Sequence, residues 1–234
     1  MNQAHIKEIF ESIQGEALHI GEKQVFIRFC GCNLSCNYCD TDFEKEDSFL
    51  IHNTNKSVKN PIKPKELAEI IKSFDAKTIS LTGGEPLLYA DFLEKFLPLI
   101  DKKIYLETNG TLPENLEKII NFIDVVSMDI KLFCSTNQHN EFDKNRKFIE
   151  VSKKANKEIF VKIVLNKNYS KEELLGAINI VNEFSVPLII QPMDCKDKSL
   201  ELEKTTLIDL FNFVTQHCSN ARLIPQMHKY LKLL

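Results

Sequence analysis

The sequence lacks any apolar run that approaches the ~20 residues of a membrane-spanning helix. Its first residues also lack the charged and then apolar pattern of a secretory signal peptide. We therefore expect a cytoplasmic protein that has no membrane partner.

The chain also lacks an excess of positive charge, because 30 Lys and Arg residues are set against 33 Asp and Glu residues. The net charge of −3 does not favour a nucleic-acid partner, since such proteins usually carry a basic surface. No low-complexity tract or linker divides the chain. We therefore expect one globular domain over residues 1–234, long enough to bury a substantial core.

The seven cysteines are odd in number and crowded toward one end, which does not suggest a disulfide framework. Cys32, Cys36 and Cys39 stand within eight residues, directly after an apolar run at Val25–Phe29. A structural zinc site normally has four protein ligands, whereas a site that does chemistry keeps one position open. The triplet therefore favours an iron–sulfur cluster with one iron left free for a small molecule.

The roles of the remaining four cysteines are harder to infer from the sequence. Strand alternation would place Cys30 on the same side of the chain as Cys32. A role as fourth ligand stays open, but we favour a residue that is not a ligand. Cys134, Cys195 and Cys218 are isolated, and we interpret them as small buried apolar residues.

Apolar strands alternate with segments of helical spacing along most of the chain. After an N-terminal strand or hairpin, the expected strands are 25–29, 78–81, 104–107, 125–130, 159–165, 186–190 and 222–224. This alternation predicts an α/β fold with a parallel sheet and outer helices. About six such units are too few for an eight-fold barrel, so we expect an incomplete (βα)6-type, TIM-like barrel. The polar segment 43–63 is interpreted as an exposed excursion without chemistry.

Polar motifs occur at the ends of these strands. They are the cysteine loop, Gly83-Gly84, Asn109-Gly110, the segment 127–131 and Gln191-Pro192. Because the carboxyl ends of parallel strands open on one face, these motifs predict a single large site.

The cysteine spacing, with Tyr38 before the third cysteine, resembles the cluster motif of radical S-adenosylmethionine (SAM) enzymes. The segment Thr82–Pro86 resembles the glycine-rich motif of that family. The resemblance implies a 4Fe–4S cluster held by three cysteines, with SAM bound to the fourth iron. It also implies a glycine-rich motif that meets the amino group of SAM, with Glu85 beside that ammonium.

Further motifs resemble one family of radical SAM enzymes, the 7-carboxy-7-deazaguanine synthases. They are Gln14-Gly15-Glu16, Asp40-Thr41, Glu107–Gly110, Ser127–Lys131, Gln191–Asp194 and Pro225–Lys229. The resemblance implies ring contraction of 6-carboxy-5,6,7,8-tetrahydropterin to 7-carboxy-7-deazaguanine, with release of ammonia, in queuosine synthesis for tRNA modification. It also implies a Mg²⁺ ion, a homodimer and a flavodoxin- or ferredoxin-type reductant.

The resemblance also assigns residues to roles. The metal ligands are expected to be Cys32, Cys36 and Cys39 for the cluster and Thr41 for Mg²⁺. The cofactor is expected to contact Tyr38, Asp40, Gly83, Gly84, Glu85, Ser127, Asp129, Lys131, Gln191 and Pro192. The pterin is expected to contact Ile13, Gln14, Gly15, Glu16, Arg28, Thr82 and His228, with Arg28 facing its carboxylate.

Several alternatives remain at this stage. Arg28 could form a structural ion pair, Thr41 could cap a turn, and His228 could be a satisfied terminal histidine. A glycyl-radical activase shares the cysteine and Gly-Gly-Glu-Pro motifs, but it does not explain Gln14–Glu16 or Pro225–His228. A non-catalytic iron–sulfur or zinc module does not need a set of motifs at strand ends.

Overall fold

The structure is a computed structural model that describes residues 2–37, 39, 44–194 and 200–233. Within these ranges the strands are β1 (Ile6–Ile13), β2 (Lys23–Phe29), β3 (Ser48–Ile51), β4 (Lys56–Lys59), β5 (Thr78–Gly83), β6 (Lys103–Thr108), β7 (Val125–Asp129), β8 (Glu158–Leu165), β9 (Leu188–Pro192) and β10 (Ala221–Leu223). The α-helices are α1 (Pro64–Lys72), α2 (Ala90–Phe96), α3 (Pro113–Ile119), α4 (Phe133–Thr136), α5 (Phe142–Lys154), α6 (Lys171–Phe184), α7 (Lys204–His217) and α8 (Met227–Leu231).

All ten strands lie in one sheet with the order β4-β3-β1-β2-β5-β6-β7-β8-β9-β10 among the described residues. From β2 to β10 every neighbouring pair is parallel. Each connection between consecutive strands of this parallel set carries a helix, with α1 between β2 and β5, and α1, α2, α3, α5, α6 and α7 pack in sequence against one another. Seven parallel strands joined by six such connections confirm the prediction of an incomplete (βα)6-type barrel.

The N-terminal strand pairs with β2 as an antiparallel hairpin, in a register that joins Ile13 to Lys23. The segment 43–63 differs from the expected exposed excursion. In its described part, β3 and β4 extend the sheet beyond β1, and Phe49 and Ile51 are buried. Phe49 and Ile51 alternate with the exposed Ser48 and the partly exposed Leu50, so one face of this small hairpin covers the core.

Side chains alternate strictly across the sheet, because successive residues of a strand face opposite sides. On β8, Ile159, Val161 and Ile163 belong to the large core beneath the helices. Phe160 belongs to a separate small cluster with Tyr105, and Lys162 follows on the same face. The helix side of the sheet is therefore apolar, while the opposite, inner face becomes polar toward the strand ends.

The connection between β1 and β2 crosses this inner face. Ala17 packs in the small inner cluster, and His19 lies against Tyr105 at 5.3 Å between ring centroids. The His19 ring also contacts Glu22 at 2.7 Å and Glu158, at the start of β8, at 2.8 Å. This connection covers the apolar part of the inner face, and the polar residues of the inner face lie next to it, toward the strand ends. Among the described residues, no helix has the length and apolar character needed to span a membrane.

Candidate active site

Two adjoining cavities open at the inner face. The larger cavity, of about 340 Å³, is lined by Lys7, Glu8, Phe10, Ile13, Gln14, Gly15, Glu16, Phe26, Arg28, Thr82, Glu107, Gln226 and His228. The cysteine cavity, of about 120 Å³, is lined by Cys32, Leu34, Cys36, Cys39, Thr82, Gly83, Gly84, Glu107, Thr108, Asn109, Ser127, Asp129, Lys131 and Lys162. Thr82 and Glu107 line both cavities and so form the boundary between them.

The structure brings all three cysteines of the triplet to one cavity. The Cys32 sulfur accepts a hydrogen bond from the Leu34 amide at 3.4 Å and one from Asn109 Nδ2 at 3.8 Å. Donors aimed at a sulfur stabilise its thiolate form and are typical of cluster ligands. Burial is the main cause that raises the pKa of the Cys32 and Cys36 thiols. In the described part of the chain, no three His, Cys, Asp or Glu side chains are arranged to chelate a single metal ion.

The cysteine loop is held from two sides. Asn33 donates to Thr111 Oγ1 at 2.8 Å and accepts from Asn109 Nδ2 at 2.9 Å. On the other side, the Asn37 amide donates to the Thr136 carbonyl at 3.2 Å. The loop is therefore anchored to the end of β6 and to α4. Three thiols on a loop anchored in this way fit a 4Fe–4S cluster that has one iron left for another ligand.

The two glycines at the end of β5 are needed for close packing between loops. A Cβ atom on Gly84 would overlap the Gly31 carbonyl oxygen, and one on Gly83 would lie 2.5 Å from the Phe29 backbone. The Glu85 amide also donates to the Gly31 carbonyl at 2.8 Å. Gly83 additionally has φ of +114°, a region that favours glycine. The two glycines thus allow the cysteine loop to pack closely on the end of β5, and they also line the cysteine cavity.

Glu85 lies differently from the expectation that it faces the cofactor's ammonium. It is fully buried and does not line either cavity. Its carboxylate accepts hydrogen bonds from the Leu87 amide at 3.1 Å, Thr108 Oγ1 at 2.9 Å and the Asn109 amide at 2.8 Å. Burial outweighs these bonds and raises the pKa of Glu85 to about 7. Glu85 therefore positions the strand end that carries Asn109.

Charged side chains at the ends of β7 and β8 complete the cysteine cavity. Lys131 Nζ lies 2.6 Å from Asp129 Oδ2, and Lys162 Nζ lies 3.4 Å from Asp129 Oδ1. Ser127 precedes them on the inner face of β7 and is also buried. The ends of β7 and β8 thus add two ammonium groups, one carboxylate and one hydroxyl to the cavity wall.

Arg28 lines the larger cavity from β2. Its Nε donates to Glu8 Oε1 at 2.7 Å, and its guanidinium lies 5.6 Å from the Phe10 ring centre. The other carboxylate oxygen of Glu8 contacts His52 Nε2 at 2.6 Å. Arg28 therefore both makes an ion pair with Glu8 and lines the cavity. A structural ion pair and a role in binding the substrate carboxylate are thus compatible for this residue.

The expected turn at residues 14–16 forms one wall of the larger cavity. Gln14 donates from Nε2 to Glu107 Oε1 at 2.9 Å, and its own oxygen accepts the Glu16 amide at 3.0 Å. A Cβ atom on Gly15 would lie 2.5 Å from the His228 backbone nitrogen, which explains why glycine stands there. His228 thus reaches the cavity because the C-terminal segment packs directly on this turn.

Glu16 is a partly buried carboxylate of the larger cavity. It forms an ion pair with Lys162 and accepts from Gln226 Nε2 at 2.6 Å. Burial alone would raise the pKa of Glu16, but the charge of Lys162 and the bond from Gln226 hold it well below its ordinary value. Lys162 responds in the opposite sense: burial disfavours its charge, yet the carboxylates of Asp129 and Glu16 raise its pKa above the usual range.

Several predicted site residues lie elsewhere. Gln191 and Pro192 are buried at the end of β9, but neither lines one of the two cavities. Tyr38, Asp40 and Thr41 lie outside the described residues, as does Cys195. Cys30 is fully buried and does not line the cysteine cavity. Cys218 is buried as expected, and Cys134 is partly exposed.

Sequence reasoning missed Lys162 and gave no role to Glu107. Glu107 accepts from Thr82 Oγ1 at 2.6 Å as well as from Gln14. Both residues are charged and occupy inner-face positions, Glu107 on β6 and Lys162 on β8. A lysine within Ile159–Leu165 breaks an apolar run at an alternate position, which is the signal that could have identified it.

Comparison with known proteins agrees with this geometry. Residues 26–187 match the family model of the radical SAM superfamily. The chain is 32% identical to 7-carboxy-7-deazaguanine synthase of Geobacter sulfurreducens, over 97% of each chain. It is 35% identical to the protein of the same name from Archaeoglobus fulgidus, over 98% of each chain.

Two solved structures share the fold. The crystal structure of QueE from Escherichia coli superimposes with a TM-score of 0.62 at 19% identity, covering 97% of this chain and 95% of that one. The structure of Streptococcus suis SuiB bound to S-adenosylmethionine gives a TM-score of 0.57 at 17% identity, over 83% of this chain and 48% of that one.

Proposed function

This chain belongs to the radical SAM superfamily and, within it, to the 7-carboxy-7-deazaguanine synthase family, and we propose that its own substrate is 6-carboxy-5,6,7,8-tetrahydropterin. The product is 7-carboxy-7-deazaguanine, and ammonia is released. The pterin occupies the larger cavity, and the cluster with SAM occupies the cysteine cavity.

The observation that carries this proposal is the shared boundary of the two cavities. Thr82 and Glu107 line both of them, so a ligand in one cavity borders a ligand in the other. The cluster and SAM together supply hydrogen-atom abstraction chemistry, which requires the reacting carbon of the substrate to lie close to the cofactor. Two separate cavities without a common wall would not serve this reaction.

The cofactor side offers donors suited to its ligands. Cys32, Cys36 and Cys39 would hold the cluster, and Gly83 and Gly84, which line the same cavity, would face SAM. Lys131 would face the carboxylate of SAM, because it is a partly exposed ammonium on the cavity wall. Asp129 would face a donor group of SAM.

The substrate side offers groups for both ends of the pterin. Arg28 would bind the carboxylate through its guanidinium, while its Nε bond to Glu8 fixes the orientation of the plane. The ionised Glu16, the Thr82 hydroxyl and the backbone of residues 13–15 would read the polar edge of the ring system. His228 and the partly exposed Ile13 would close the remaining sides.

The reaction itself is tested by assay. We expect anaerobically reconstituted protein, given SAM, a reductant and 6-carboxy-5,6,7,8-tetrahydropterin, to form 7-carboxy-7-deazaguanine. Cleavage of SAM without this product would overturn the substrate assignment. Absence of both cleavage and product in protein with a full cluster would overturn the radical reaction as well.

A Mg²⁺ ion is part of the proposal through the family resemblance, with Thr41 as its protein ligand and Asp40 beside the cofactor. One hydroxyl suits Mg²⁺, which keeps most of its water and seldom has a cage made of protein alone. Thr41→Ala is expected to weaken the dependence of activity on Mg²⁺ several-fold while leaving the iron content unchanged. Activity that responds to Mg²⁺ as in the wild type would remove Thr41 from the metal site.

The same resemblance supports a cytoplasmic homodimer that receives electrons from a flavodoxin- or ferredoxin-type protein and serves queuosine synthesis for tRNA modification. Light scattering of the reconstituted protein tests the dimer. The glycyl-radical activase and the non-catalytic module are not favoured, because relatives matched over 97–98% of the chain are named 7-carboxy-7-deazaguanine synthase.

A further inference from the structure

Lys162 is the one side chain whose ammonium contacts a carboxylate of each cavity in the described part of the chain. It pairs with Glu16, which lines the larger cavity, and lies 3.4 Å from Asp129, which lines the cysteine cavity. Its side chain is 9% exposed, so water screens these contacts little. Nothing in the assigned ligand sets uses this residue.

The two contacts are unequal. Asp129 Oδ2 already accepts the Lys131 ammonium at 2.6 Å, whereas its buried Oδ1 receives no hydrogen bond and has Lys162 at the longer distance. On the other side, Glu16 has Lys162 as its close ammonium partner and Gln226 as its second donor. Without Lys162, Asp129 would therefore keep the Lys131 ammonium as a partner, whereas Glu16 would keep only the neutral side-chain amide of Gln226.

Glu16 in turn fixes the C-terminal wall of the larger cavity. Gln226 is bound between Glu16 at 2.6 Å and Lys229 Nζ at 2.6 Å. The next amide, that of Met227, donates to the Gly15 carbonyl at 2.8 Å. Gln226, two residues before His228, is thus linked to Lys162 through Glu16.

We propose that Lys162 is a positioning residue that couples the two cavities, because one ammonium on β8 sets the position of Glu16 toward the substrate and of Asp129 toward the cofactor. When bound SAM displaces Asp129 or Lys131, the ammonium of Lys162 moves with them. This movement changes the position of Glu16 in the wall of the larger cavity, which receives the pterin. Coupling of this kind is reciprocal and is commonly 5- to 150-fold in affinity. The inference rests on the proposed function, since it assigns the two ligands to their cavities.

The test measures binding rather than turnover. The affinity of 6-carboxy-5,6,7,8-tetrahydropterin is determined by calorimetry on anaerobically reconstituted protein, with and without saturating SAM. For the wild type we expect SAM to change the dissociation constant of the pterin at least about fivefold. Equal affinities in the two states would overturn the inference, whereas a wild type that binds no pterin would overturn the proposed function instead.

Three variants separate coupling from simple stability. Lys162→Met is expected to weaken pterin binding about tenfold or more. In this variant SAM is expected to leave the dissociation constant of the pterin nearly unchanged. Lys162→Arg keeps the charge and is expected to restore most of both values, which general damage to the core would not allow. Lys147→Met removes an exposed lysine paired with Glu114 and serves as the matched control, with both values unchanged.

Asp129→Asn keeps the inference testable if Lys162→Met does not fold. This variant leaves the pair of Lys162 with Glu16 in place but removes the charge on the cofactor side. We expect the effect of SAM on pterin affinity to be lost in this variant at SAM concentrations that calorimetry shows to be saturating. Retention of the full SAM effect in Asp129→Asn, or wild-type values in Lys162→Met, would overturn the role of Lys162.

Discussion

The two cavities differ in how the chain builds them. The cysteine cavity takes its walls from one loop and the ends of β5, β6, β7 and β8, which follow one another across the sheet. The larger cavity joins β1, β2 and the turn at residues 14–16 to a C-terminal segment more than 200 residues away. One site is made of neighbouring strand ends, and the other depends on distant contacts.

Two carboxylates, Glu16 in the larger cavity and Glu85 beneath the cysteine cavity, differ as well. Glu16, in the larger cavity, has a lysine partner, and the pKa of Glu16 lies well below its ordinary value. Glu85, beneath the cysteine cavity, has neutral donors around it, and burial raises its pKa to about 7. A buried carboxyl group stays ionised where a cation faces it and tends to take a proton where only dipoles do. Glu16 is therefore kept ionised by a neighbouring charge, whereas Glu85 is held mainly by hydrogen bonds.

The largest expected effect is the loss of the cluster on the cofactor side. Cys36→Ala is expected to abolish both cluster binding and activity, because among the described residues the cavity wall has no thiol besides those of Cys32, Cys36 and Cys39. Iron content and visible absorbance after anaerobic reconstitution measure this. Cys218→Ala, at a buried cysteine near the end of α7, is the control and should retain the cluster. A Cys36→Ala protein with a full, active cluster would contradict the assignment of the ligands.

On the substrate side, Arg28→Gln is expected to lower kcat/KM by about 10- to 100-fold, mainly through KM. A hydrogen bond to a charged group is worth ~1.5–3 kcal/mol, which corresponds to this range. Steady-state kinetics give the change, and calorimetry should show SAM affinity unaltered. Lys23→Gln, on the same strand but exposed, is the matched control. An unchanged KM in Arg28→Gln would show that the pterin carboxylate lies elsewhere.

The pH dependence of stability sharpens the contrast between the carboxylates. Because the pKa of Glu85 rises from 4.5 when unfolded to about 7 when folded, the folded state binds more protons between these values. The stability that this group contributes is present below pH 4.5 and is lost as pH rises through 7. We expect it to lower the free energy of unfolding by about 2–3 kcal/mol between pH 5 and pH 8.

Urea unfolding of the wild type and Glu85→Gln at both pH values tests this. The variant is expected to be less stable overall, since an amide nitrogen would face a donor, but its pH slope should be smaller by the stated amount. Glu16 does not contribute in this window, because a lowered pKa affects stability only below pH 4.5. Identical slopes in the two proteins would contradict the raised pKa of Glu85.

The smallest effect is expected at the outer end of the substrate side. His52→Gln removes a ring that contacts Glu8, which in turn orients Arg28. The pair is partly exposed, so a loss of ~0.2–1 kcal/mol and a rise in KM of about 1.5- to 5-fold are expected. His217→Gln on α7 is the control. A change as large as that of Arg28→Gln would mean that His52 touches the substrate itself.

Sequence reasoning was most successful where signals were local. The apolar strands, the helices between them and the cysteine loop were predicted because each depends on neighbouring residues. The small hairpin of β3 and β4 was missed, since Phe49 and Ile51 are buried by pairing of β3 with β1, about 40 residues earlier. The role of Lys162 could not be predicted, because its partners come from residue 16 and from β7.

The glycine-rich motif shows a further limit. Its position at the end of β5 was predicted, but the reason for Gly84 is contact with the backbone of Gly31, which only the folded loop reveals. Glu85 was expected at the cofactor because an acid beside an ammonium is reasonable. Three donors from neighbouring backbone and side-chain groups hold it in the interior instead.

A crystal structure of the reconstituted protein with SAM and 6-carboxy-5,6,7,8-tetrahydropterin tests the central claim most directly. We predict SAM in the cysteine cavity, the pterin in the larger cavity with its carboxylate on Arg28, and the two ligands meeting beside Thr82 and Glu107. A pterin bound away from Arg28, or separated from SAM by a wall of protein, would contradict the account of two adjoining cavities.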